Sequence, residues 1–310
     1  MIRLLATLCA LGFWSVSPTS AQWCTELAEV ALVDIHPLAP GRTPSTSTAR
    51  GAPTSTTFRP AGAFMLIEAT VDGHPGTYIL DSGAPGLILN RRPSAVEESV
   101  AAEGLNGSVA FAKTEVASLQ WGPLTQTDLT AYAVDLDYLT EALGERIDGM
   151  LGYDQLSALP VTIDYRRGSI THHVEDAPAG EGVKLRLRLR GHVAAVRGRI
   201  DGRRVELALD TGAGVNVLDD DRLSRLGDDA HERMDDMLLR GLDARQERVP
   251  RARVHLTEIA DANWIGLPFA FADLSGFAKA GLRVDGVLGK EWLQRHTVTL
   301  DYGRGVAYVR

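Results

Sequence analysis

Leu80-Asp81-Ser82-Gly83-Ala84 and Leu209-Asp210-Thr211-Gly212-Ala213 end two stretches that align without a gap at an offset of 129. The first runs Ile67-Glu-Ala-Thr-Val-Asp-Gly-His-Pro-Gly-Thr-Tyr-Ile-Leu-Asp-Ser-Gly-Ala84. The second runs Val196-Arg-Gly-Arg-Ile-Asp-Gly-Arg-Arg-Val-Glu-Leu-Ala-Leu-Asp-Thr-Gly-Ala213. Further on, Ile147-Asp-Gly-Met-Leu-Gly152 matches Val284-Asp-Gly-Val-Leu-Gly289, and Ile163-Asp-Tyr165 matches Leu300-Asp-Tyr302, both at an offset of 137. The eight extra residues therefore lie between the blocks, in a loop or hairpin. Three blocks repeated in one order mark an internal duplication. Two homologous lobes are expected, over about 61–173 and 183–310, joined by a linker at 174–182.

Within each lobe the pattern is β. Asp72-Gly73 and Asp201-Gly202 sit between apolar runs, a hairpin signal because type I′ turns need residues tolerant of positive φ. Lys184-Leu-Arg-Leu-Arg-Leu-Arg190 alternates strictly, as a half-buried strand does. Its cationic face reads as a solvated surface that discourages edge pairing, with an anionic partner as the alternative. Short helical turns are expected near Asp219–Leu226, Asp154–Leu159 and Lys290–Arg295. An Asp at the end of a buried strand is costly unless it is hydrogen-bonded or paired. A glycine two residues on lets the backbone turn and aim N–H groups at the carboxylate. One such motif is an ordinary turn; two in the same repeat context point to a pair of carboxylates acting together.

The composition sets the bounds. The chain has 310 residues, 45% hydrophobic and 23% charged, with a net charge of −8. That balance gives no electrostatic reason to expect nucleic acid. Residues 1–21 read as an export signal, with Arg3 before an apolar run from Leu4 to Val16 and Thr19-Ser20-Ala21 at the cleavage site. The run is shorter than the ~20 residues needed to span a bilayer. The mature protein is expected to be exported, periplasmic or secreted, without stable membrane insertion. Cleavage would remove Cys9 and leave Cys24 alone, so no internal disulfide is expected. Residues 22–60, rich in Ser, Thr, Pro, Ala and Gly from Gly41 on, read as a low-complexity segment, a linker or propeptide remnant.

The two Asp-Ser/Thr-Gly-Ala motifs, with Met150-Leu-Gly152 and Val287-Leu-Gly289, resemble the pepsin and retropepsin superfamily of aspartic peptidases. The compact lobes and the Ile/Leu-Asp-Tyr strand look most like a tandem fusion of bacterial retropepsin-like units. The resemblance implies an all-β protein, two retropepsin-like lobes in a pepsin-like pseudo-twofold arrangement, with Asp81 and Asp210 as the catalytic dyad. It also implies that the Ser82 and Thr211 hydroxyls brace the two loops, and that Gly83 and Gly212 present N–H groups to the carboxylates. The second motif of each lobe should thread beside the catalytic loop. Pro85 follows the first motif where Gly214 follows the second, so the two loops must differ. Flap candidates are Gly104-Leu-Asn-Gly107 and Arg240-Gly-Leu242; neither carries a tyrosine. No metal site and no cofactor are implied, because the histidines lack HExxH spacing and no G-x-S-x-G or G-x-G-x-x-G motif occurs. The function expected is an aspartic endopeptidase acting on a peptide or protein substrate as a monomer. The alternative is a catalytically silent peptide-binding or assembly module on the same fold.

Overall fold

The architecture comes from a computed structural model, which describes residues 28–29, 45–48, 52–93, 99–103, 108–173, 181–241, 246–279 and 281–310. The reading of residues 1–21 as an export signal, and Cys9 and Cys24 with it, lies outside the described residues.

The first half comprises β1 (Ala28–Glu29), β2 (Ser45–Thr48), β3 (Thr54–Thr57), β4 (Arg59–Ala61), β5 (Phe64–Val71), β6 (His74–Leu80) and β7 (Ile88–Asn90). It continues with β8 (Ser99–Glu103), β9 (Ser108–Trp121), β10 (Leu124–Val134), helix α1 (Asp137–Leu143), β11 (Gly149–Leu151), α2 (Tyr153–Leu156), β12 (Val161–Asp164) and β13 (Ser169–His172). The second half begins with β14 (Val183–Arg186), β15 (Arg188–Arg190), β16 (Val193–Ile200), β17 (Arg203–Leu209), β18 (Val217–Asp219) and β19 (His231–Arg240). It ends with β20 (Gln246–Ile259), β21 (Ala262–Ala272), α3 (Ser275–Lys279), β22 (Gly286–Leu288), α4 (Lys290–Leu293), β23 (Thr297–Asp301) and β24 (Val306–Val309).

Each lobe is organised around a hairpin, β5–β6 or β16–β17. Asp72 and Gly73 have φ of 49° and 77°, and Asp201 and Gly202 have 50° and 68°, the left-handed pair a type I′ turn requires. The second strand of each hairpin ends in three fully buried residues, Tyr78-Ile79-Leu80 and Leu207-Ala208-Leu209. They are buried on both faces because a parallel strand flanks them: β11 pairs Leu151 with Leu80, and β22 pairs Leu288 with Leu209. β11 also pairs antiparallel with β7, and β22 with β18, so each hydrophobic-Gly motif is threaded through the middle of its sheet.

A six-stranded sheet, in the order β14-β24-β23-β12-β13-β3, joins the lobes. At its centre β12 and β23 run antiparallel with Thr162 opposite Thr299, and their hydroxyls lie 2.8 Å apart. These residues are repeat equivalents, so the pseudo-twofold axis passes between them. Asp164 and Asp301 each accept a hydrogen bond from the backbone at the turn that follows, from Arg166 N–H (3.0 Å) and Arg304 N–H (2.9 Å). One continuous core runs from Leu80 and Leu151 through Val161, Ile163, Val298 and Leu300 to Leu209 and Leu288.

Two local expectations change. The Ser/Thr-rich stretch is part of the sheets: β2 pairs with β10, β3 with β13, and β4 with β5. Its β-branched threonines find partners at sheet edges that the local composition does not reveal. The alternating segment Lys184–Arg190 is two strands in two different sheets, β14 in the sheet that joins the lobes and β15 in the second lobe's own sheet. The break is at Leu187, buried, with its N–H donated to Gly305 O at 2.9 Å. The helical turn expected over Asp219–Leu226 is a 3₁₀ helix, Asp220–Arg225. The turns near Asp154 and Lys290 are α2 and α4.

Candidate active site

Asp81 and Asp210 follow the last buried residues of β6 and β17, and both are fully buried. Their backbone N–H groups donate to the threaded motifs, Asp81 to Leu151 O at 2.9 Å and Asp210 to Leu288 O at 3.1 Å. Each loop then turns back on its own carboxylate. Gly83 N–H donates to Asp81 Oδ1 at 2.8 Å, and Gly212 N–H donates to Asp210 Oδ1 at 2.8 Å. The other oxygen, Oδ2, is buried in both residues and has no donor from the protein.

The loops are locked across the lobe boundary by a reciprocal ring of hydrogen bonds. Ser82 Oγ donates to Leu209 O (3.0 Å) and accepts from Thr211 N–H (3.0 Å). Thr211 Oγ1 donates to Leu80 O (2.8 Å) and accepts from Ser82 N–H (2.9 Å). All four bonds are buried, where an unmade partner costs about 1–3 kcal/mol. A hydroxyl suits both positions because its one oxygen donates one hydrogen bond and accepts another. The consequence is that the carboxyl groups of Asp81 and Asp210 lie within hydrogen-bonding reach of each other. A methyl group on Gly212 would come within 2.4 Å of the Asp81 carboxyl, so glycine there is a packing requirement.

Burial pushes the Asp81 carboxyl up to about 6. Burial, and then the charge of Asp81, pushes Asp210 well above the usual carboxylate range. Two desolvated like charges at contact cannot both persist, so the pair holds a proton that isolated aspartates would release. Tyr165 and Tyr302, from the third repeat block, are held neutral by burial, helped by the negative charge of Asp210.

Several residues at the site escape a reading by motif. His192, in the turn before β16, donates from Nε2 to Gly83 O in the other lobe at 2.7 Å. Lys290 Nζ donates across the boundary to Gly62 O. Gln155 and Asn216 accept the N–H groups of Gly152 (3.1 Å) and Gly289 (3.0 Å). Asp148 and Asp285, in the threaded motifs, accept N–H groups of Thr77 (2.9 Å) and Glu206 (2.8 Å) on the adjacent strands. The repeat itself flags only Asp148 and Asp285. The other residues stand at positions where the halves differ. Of the flap candidates, 104–107 lies outside the described residues. Arg240 ends β19, Gly241 follows, and Leu242 lies outside them.

No curated protein matches the chain. A family model for aspartyl proteases matches residues 67–155 and 196–292, once in each lobe and together more than half of the chain. Each match starts in the first strand of the central hairpin, crosses the Asp-Ser/Thr-Gly loop and ends in the helical turn after the threaded motif. The duplicated sequence, the two β lobes and this double match agree, and the chain belongs to the aspartyl protease family.

Proposed function

We propose that the protein is an aspartic endopeptidase in which Asp81 and Asp210 jointly activate water against a peptide bond. The observation that carries this reading is the reciprocal Ser82–Thr211 ring, which holds two desolvated carboxyls in contact and leaves both Oδ2 atoms unclaimed by the protein. Two carboxyls sharing one proton supply a base and an acid at once. The ionised member takes a proton from water as the water oxygen attacks the scissile carbonyl carbon. The protonated member gives its proton to the carbonyl oxygen, producing a neutral gem-diol. Collapse of the diol breaks the C–N bond, the amine leaves with the proton held by the first carboxyl, and a hydroxyl proton recharges the second. Both aspartates come from one chain, so the enzyme would act as a monomer. Residues 1–21 would direct its export.

The test is hydrolysis of a diverse peptide library from acid to neutral pH, with and without a statine-type transition-state inhibitor. Asp81→Asn and Asp210→Asn are each expected to lower turnover by at least about a thousandfold while keeping the melting transition. The double variant should be no worse than either single one, because the pair acts as a unit. Near wild-type turnover by either single variant would sink the dyad. An inert wild type would leave a silent peptide-binding module instead.

A further inference from the structure

Eight of the chain's 32 basic residues fall between Val183 and Arg204, a stretch with one acid, Asp201, in a protein of net charge −8. Strands β14 to β17 gather six of these cations along two grooves of the second lobe. The larger, about 600 Å³, is bordered by Arg197, Arg199 and Arg204. The smaller, about 230 Å³, is bordered by Lys184, Arg186, Arg188 and Arg197. Arg197 and Ala260 border both, so the grooves form one trough. The acids on its walls are largely spoken for. Glu206 is paired with Arg190 (2.5 Å) and Arg197 (3.8 Å), Asp285 is paired with Arg222, and Glu258 sits opposite Arg199 in the strand register. Lys184, Arg186, Arg188 and Arg204 have no ion pair among the described residues.

Two features say what shape of anion fits. β14 is the outer strand of the six-stranded sheet and β15 the outer strand of the second lobe's sheet, so 183–190 presents a strand edge along the trough. Leu185, Val196, Val205 and Ile259 form the buried floor of the grooves, and Leu189, in β15, is 44% exposed. An extended polypeptide can add to a strand edge while its side chains alternate between charged and apolar contacts. No aromatic side chain lines either groove, so bases would find no stacking platform. Protection of an edge strand against self-pairing would account for cations on β14 and β15. It does not account for Arg199, which is paired on both sides, with Arg204 in β17 and Glu258 in β20.

We propose that this trough is a docking site for an extended, acidic stretch of a protein partner. The test is fluorescence anisotropy with a labelled peptide of alternating Glu and Val, using the full chain with Asp210→Asn so that no cleavage alters the probe. Binding is then readable whether or not the protein is a peptidase. The acidic peptide is expected to bind and the Lys-for-Glu peptide not to. High salt, and the joint variant Lys184→Glu, Arg186→Glu, Arg188→Glu, should each weaken binding by about tenfold or more, since these contacts are solvent-facing charges. If that variant does not fold, Arg199→Gln with Arg204→Gln removes two exposed cations from the other groove and should weaken binding severalfold. Absence of binding, equal binding by the folded variants, or tighter binding to a sulfated polysaccharide or anionic vesicles than to the peptide would overturn the proposal.

Discussion

The two lobes solve one problem with different residues. Each threads a glycine beside its Asp-Ser/Thr-Gly loop and buries that glycine's N–H. In the first lobe Gln155, in the helical turn downstream, supplies the acceptor, and Leu87 fills the upstream position in the core. In the second lobe the roles are exchanged. Asn216, equivalent to Leu87, supplies the acceptor, and Trp292, equivalent to Gln155, packs against Trp264 at 5.5 Å between ring centroids. Packing behind the loops differs in the same compensating way. Phe64, Ile79, Ile88 and Met150 fill the first lobe, where Val193, Ala208, Val217 and Val287 stand in the second. Leu239, Leu274 and Phe277 complete the second lobe's cluster. His192 reaches Gly83 across the boundary, whereas its repeat equivalent is Ala63, which has no polar side-chain atom. The repeat preserves what the backbone needs, a satisfied N–H and a filled volume, and leaves free which residue provides it.

The comparison breaks most visibly at the threaded glycines. A Cβ on Gly152 would lie 2.4 Å from Ala84 O, and one on Gly289 would lie 2.3 Å from Val215 O and 2.6 Å from Ala213 O. Backbone cannot yield as a flexible side chain does, so Gly152→Ala and Gly289→Ala should each cost more than about 3 kcal/mol in urea unfolding. Tolerance of one but not the other would mean that the two threadings are not equivalent.

The exchanged acceptors sharpen it. Gln155→Leu and Asn216→Leu each orphan a buried N–H and should cost about 1–3 kcal/mol. Adding Leu87→Asn to Gln155→Leu transplants the second lobe's solution into the first and should recover part of the loss. A double variant less stable than the single one would show that the first loop cannot adopt the Asn216 geometry.

The smallest effect is the pH dependence. The carboxyls of Asp81 and Asp210 are held above their usual range, the former near 6. The folded protein therefore binds protons more tightly here than the unfolded chain does. The stabilisation is fully present below the ordinary carboxylate range and is lost as pH rises through about 6. Asp210→Asn removes the like-charge penalty, so its melting temperature should exceed wild type by about 2–4 °C at neutral pH and match it in acid. An equal gain at both pH values would place its origin outside the dyad's charge.

The buried aspartate pair, its glycines and hydroxyls, the type I′ turns and the threaded motifs are legible in the sequence because each depends on local chemistry repeated at a constant spacing. An Asp after a buried strand and a turn needing positive φ leave the same residues wherever they occur. Tertiary structure alone decided the rest. Lys184–Arg190 has the alternation of a single strand, yet the chain bends at Leu187 because its neighbours on either side, β24 and β16, belong to different sheets. The Thr-rich stretch finds its partners in strands far along the chain, as in the pairings of Thr48 with Leu124 and Ser55 with Thr171. Gln155, Asn216 and His192 took their places at the site through contacts across loops or lobes, and the cationic trough exists only once β14 to β17 lie side by side. Local spacing records what a residue needs from its own backbone, and only long-range pairing settles which distant partner meets that need.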